Sequence, residues 1–98
     1  MKYVLLVGNS FDKSLRKLSS DVAEHIENVV FQLEDNPRAG EQLKGEFRHL
    51  WSLHTKLDNV QYRVIYSLDT IKREVMLHYA SSRENFYKEV KRLRLKVP

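Results

Sequence analysis

The chain has 98 residues, 42% hydrophobic and 31% charged, which suits one small domain around a single core spanning 1–98. It has no cysteine, which excludes disulfides and thiolate metal sites and makes a reducing cytoplasm the natural compartment. Residues 1–82 carry eleven Lys/Arg against eleven Asp/Glu, so the whole net charge of +4 falls in residues 83–98.

The opening "MKYVLLVGNS" has five consecutive apolar residues, Tyr3 to Val7. That run is too short for a signal-peptide core or a membrane span and reads as a first strand. Phe11, Leu15, Leu18, Val22, Ile26, Val29, Val30 and Leu33 then form one helical stripe. Ser19, Ser20 and Asp21 interrupt it as good N-caps, and Asp21 with Glu24 has capping-box spacing. The pattern predicts a short helix over 11–18, a tight turn and a longer helix over 21–35, stopped by Pro37. "RAGEQLKGEF" (38–47), punctuated by Gly40 and Gly45, reads as loop. Three strands are expected near 48–55, 60–68 and 74–80, and "SRENFYKEVKRLRL" closes the chain as a basic helix. The order predicts an α+β fold, with a helix pair packed on an antiparallel sheet of about four strands. On charge alone the final helix is best read as a solvated face. A polyanionic partner, nucleic acid or an acidic protein segment, is the other reading.

Strand alternation sorts the side chains by face. Trp51 and Leu53 oppose Ser52 and His54; Tyr62, Val64, Tyr66 and Leu68 oppose Gln61, Arg63, Ile65 and Ser67. In the last strand Val75, Leu77 and Tyr79 oppose Met76, His78 and Ala80. If the bulkier set meets the helices, Ser52, His54, Arg63 and His78 gather on the uncovered face. An arginine offers a planar fork to a phosphate, and histidine moves protons near neutrality. RNA cleavage without a metal needs a base for the 2′-OH, a cation for the phosphorane and an acid for the leaving 5′-oxygen. Each residue also has a plainer reading: His54 or His78 as a structural or exposed histidine, Arg63 paired with Glu74, and Tyr87 packing the last helix. No metal-ligand spacing, phosphate-cradling glycine loop or Ser-His-Asp order stands out.

The run "NPRAGEQLKGEFRHLWSLH…VQYRVIYSLD…EVMLHYASSRENFY" resembles the RelE/ParE superfamily of type II toxin–antitoxin toxins. The likeness covers essentially the whole chain, from the opening strand through "KSLRKL", "LW-L" and "YRVIY" to Arg83 and Tyr87 as R-x-x-x-Y. It implies a small α+β toxin neutralised by a cognate antitoxin encoded beside it. The RelE-like branch cuts mRNA in the ribosomal A site without a metal or other cofactor, and the ParE-like branch inhibits DNA gyrase. By resemblance, Arg63 contacts the scissile phosphate, Arg83 stabilises charge or protonates the leaving group, and Tyr87 orients the substrate. Two RelE lysines of the second strand are replaced here by Ser52 and His54, which makes His54 the proton-transfer group. Glu41 in "GEQLKG" resembles the general base of the YoeB branch, although that branch's C-terminal His-Tyr pair is not matched. His78 is a further catalytic candidate, and Lys44, Arg48, Lys88, Lys91 and Arg92 are the candidates for holding RNA. The expected function is a ribosome-dependent mRNA endoribonuclease. A gyrase inhibitor without nuclease activity, or a degenerate member that only binds antitoxin, are the alternatives.

Overall fold

Ser19 separates the two helices as the pattern predicts: its Oγ accepts the Val22 N–H at 3.4 Å and caps the second helix. In the computed structural model, which describes residues 2–82, strand β1 (Val4–Val7) leads into helices α1 (Asn9–Arg16) and α2 (Ser20–Val30). Helix α2 ends earlier than predicted, because the chain tightens into a 3₁₀ turn at Phe31–Glu34 before Pro37. Three long strands follow: β3 (Leu50–Leu57), β4 (Val60–Asp69) and β5 (Glu74–Ser82). The segment expected to be loop contains strand β2 (Glu41–Gln42) and a 3₁₀ turn at Gly45–Phe47. The expected closing helix lies outside the described residues.

The sheet has five strands in the order β1-β5-β4-β3-β2. Two points correct the sequence reading: β2 adds a strand, and β1 pairs with β5 in parallel, from Val4↔Glu74 to Val7↔Leu77. The helix pair makes the parallel pairing possible, since parallel strands need a crossover rather than a tight turn. Strands β3 and β4 need none. Asp58 (φ 51°) and Asn59 (φ 67°) both take the left-handed region, as a two-residue hairpin turn requires.

The helices cover one face of the sheet. Phe11, Leu15, Ile26, Val30 and Leu33 pack on Leu53, Tyr62, Val64, Tyr66, Val75 and Leu77, all nearly free of solvent. Each such side chain contributes about 1.5–3 kcal/mol by leaving water. Ser14 lies buried among them; its Oγ donates to the Phe11 carbonyl at 2.7 Å and accepts the Ala80 N–H at 3.0 Å. The β1–β5 pairing ends at Leu77, so this hydroxyl takes up a strand amide that β1 does not reach.

A β-bulge breaks the regularity of β5. Ile65 pairs with Tyr79 and Tyr66 with Leu77, which leaves His78 as the extra residue. The faces exchange beyond it. Ala80, expected on the uncovered face, lies in the helix-side core, and Tyr79, expected there, packs on the opposite face with Leu50 and Ile65. One inserted residue shifts a period-two pattern by half a cycle.

Candidate active site on the sheet face away from the helices

A buried tyrosine builds the edge of the site. Tyr66 is fully enclosed and stacks on Trp51 with ring centroids 6.2 Å apart. Its O–H donates to the Pro37 carbonyl at 2.8 Å and accepts the Gly40 N–H at 3.0 Å. Burial pushes the phenol's pKa up, against a smaller opposing effect of the Gly40 N–H, so it stays neutral. A Cβ at Gly40 would sit 2.7 Å from both the Ser52 carbonyl oxygen and the Tyr66 hydroxyl, so the approach requires glycine. Held this way, Glu41 falls opposite Ser52 and Gln42 opposite Trp51 as β2. The Gln42 side-chain amide then donates to the Arg48 carbonyl at 2.7 Å and closes the loop between them.

The predicted core of the site comes together on this frame. His54 of β3 and Arg63 of β4 are direct cross-strand partners, which sets their Cβ atoms about 4.5–5.5 Å apart. The Glu41 carboxylate lies 3.8 Å from His54 Nε2, with both side chains open to solvent. A hollow of about 290 Å³ is lined by Glu41, Lys44, Phe47, His54 and Arg63 among others. A neighbouring one of about 380 Å³ adds Lys56 and Gln61 to His54 and Arg63. Arg63 is half-buried on a central strand, with Ser81 opposite it on β5. A half-buried guanidinium on a rigid strand can bind a phosphate in one geometry, and the histidine–carboxylate pair beside it can exchange protons.

Other expected members are placed differently. Ser52 belongs to this face but is 1% exposed, and its Oγ has no partner among the described residues. His78 does not join Arg63. Its Nε2 is 2.8 Å from Ser67 Oγ, four residues along β4 from Arg63 and past the buried Ile65. Burial, and secondarily the charge of nearby His49, lower its pKa. Lys44 and Arg48 are exposed, and Lys44 lines the smaller hollow. Arg83, Tyr87, Lys88, Lys91 and Arg92 lie outside the described residues. Glu74, the suggested partner for Arg63, sits at the opposite end of β4, across from Asp69. His25 bonds through Nε2 to Thr55 Oγ1 at 2.7 Å and ties α2 to the sheet. Lys56 was missed by the sequence reading, although alternation carries it: it stands two residues beyond His54 and pairs with Gln61. Among the described residues no group of three potential ligands is placed to hold a metal ion.

No curated protein is similar enough in sequence to count as a relative. Among solved structures, the chain superposes on the RelBE2 toxin–antitoxin complex of Mycobacterium tuberculosis with a TM-score of 0.76 at 21% identity, covering 85% of this chain and 100% of that one. A mutant of the Escherichia coli toxin RelE in the free state gives 0.74 at 24% identity, covering 97% and 100%. The isolated E. coli RelE toxin gives 0.66 at 26% identity, covering 95% and 99%. These likenesses confirm the α+β toxin fold. The family model for the ParE-like toxin of type II bacterial toxin–antitoxin systems matches residues 5–91, and the chain therefore belongs to that family.

Proposed function

We propose that this toxin is a ribosome-dependent mRNA endoribonuclease that works by acid/base catalysis without a metal, countered by a cognate antitoxin. The observation that carries the reading is the cross-strand pairing of His54 with Arg63, with the Glu41 carboxylate 3.8 Å from the imidazole. In this scheme Arg63 binds the scissile phosphate and holds the charge that builds up on the phosphorane. His54, oriented by Glu41, takes the 2′-OH proton as that oxygen attacks phosphorus. The 5′-oxygen leaves with a proton, for which Arg83 is the candidate donor, and Tyr87 orients the substrate. The products are a 2′,3′-cyclic phosphate and a 5′-hydroxyl. Lys44 and Lys56 flank the path of the RNA backbone, and the basic stretch from Lys88 to Arg92 meets ribosomal RNA, so binding weakens with salt.

A second reading, a gyrase-directed toxin without nuclease activity, draws on Ser52. One of the two positions that carry lysine in RelE here bears a buried serine. Induction of the protein in cells, with mapping of mRNA 5′ ends and DNA breaks, separates the two. Codon-positioned cuts in translated messages support the nuclease. A DNA-damage response with intact mRNA supports gyrase inhibition. No growth effect leaves a protein that only binds antitoxin.

A further inference from the structure

Beside the buried Leu50–Ile65–Tyr79 cluster, the same sheet face carries a hollow of about 520 Å³ that the cleavage step does not use. Leu6 and Met76 give it an apolar floor, and Ser67, His78 and His49 line one wall. Three features define its ligand. The first is position: Ser67 lies four residues beyond Arg63 on β4 and on the same face, about 13 Å away at the rise of a strand. The second is hydrogen-bonding capacity. His78 and Ser67 form a donor–acceptor pair at 2.8 Å, and His49 Nε2 is buried without a partner among the described residues. A buried ring nitrogen of this kind calls for a partner. The third is charge. Asp69 and Glu74 stand at the rim, which disfavours a phosphate and leaves a neutral ring acceptable.

We infer that this hollow receives an unpaired nucleobase of the same RNA whose phosphate is held at Arg63. The inference rests on the nuclease reading. A 13 Å reach corresponds to about four stacked nucleotides, or fewer when the strand is splayed. The base lies face-on to Met76 and Leu6 and presents its edge to His49, His78 and Ser67. Because His78 is kept uncharged by its burial, its ring can both donate and accept.

The test uses the full chain, labelled for NMR detection of histidine rings, the Met76 methyl and the Arg63 side chain. One ligand is a pentaribonucleotide with 2′-deoxyribose at the cleavage step; the other is the dinucleotide of that step alone. Both RNAs are expected to shift the Arg63 and His54 signals, and the longer RNA alone to shift His49, His78 and Met76. His49→Gln, and independently Met76→Glu, should weaken the pentanucleotide about tenfold and leave the dinucleotide unchanged. If the longer RNA moves the Arg63 and His54 signals without those of the hollow, the inference is overturned and the nuclease reading stands. If neither RNA moves any of these signals, the inference is overturned, and the nuclease reading is decided separately by cleavage on programmed ribosomes. If the hollow responds to an antitoxin peptide and not to RNA, it is a protein-docking site and the inference is overturned.

Discussion

On the helix-covered face, side chains from β3, β4 and β5 meet α1 and α2 with almost no solvent between them. The opposite face carries a small buried cluster of Leu50, Ile65 and Tyr79 and two hollows with different polar linings. One contains Glu41, His54 and Arg63; the other contains His49, Ser67 and His78. The covered face depends on total apolar area, which many sequences could provide. The opposite face depends on the strand position of a few residues, and a one-residue bulge is enough to reassign them.

Substitutions that separate activity from stability test this contrast. The largest expected effect is on the face away from the helices: Arg63→Ala should lower mRNA cleavage on programmed ribosomes about 10²–10³-fold. Its thermal unfolding should stay close to that of the parent, and full toxicity at matched expression would rule out the site. On the covered face the effect should be reversed in kind. Leu77→Ala, at a side chain 2% exposed, should lose about 2–5 kcal/mol in urea unfolding, while the fraction still folded cleaves normally. Tyr66→Phe joins the two faces. It removes the partner of the Gly40 amide and should cost about 1–3 kcal/mol, with a further loss of cleavage because Glu41 is no longer held. Unchanged activity in that variant would show that β2 positions nothing.

The smallest effect concerns pH. The folded chain holds His78 below its ordinary value of 6.5, so the unfolded chain takes up the proton first. Stability should therefore be fully present above pH 6.5 and fall as the pH drops from there through the lower folded value. His78→Asn should flatten this acid slope in unfolding titrations between neutral and mildly acidic pH. A slope identical to the parent's would show that His78 titrates as it does in the unfolded chain.

The elements that alternation or helical periodicity describes locally were legible in the sequence. The helix stripe, the Ser19–Asp21 break and the faces of β3 and β4 all follow from it, including the shared face of His54 and Arg63. What was not legible depends on distant partners. Strand β2 exists because Tyr66 reaches back to Pro37 and Gly40, a contact no local pattern announces. The bulge at His78 carries no sequence mark, so Tyr79 and Ala80 were read on exchanged faces. The parallel pairing of β1 with β5 is equally non-local.

That last pairing has a consequence for the order in which the molecule assembles. The β3–β4 hairpin closes across two residues, Asp58 and Asn59, whereas Val4 must find Glu74, about 70 positions along the chain. Hairpins form in microseconds, and long-range closure is slower. The His54–Arg63 pair is therefore expected to be framed early in folding, with docking of the amino-terminal strand as the late event that completes the sheet.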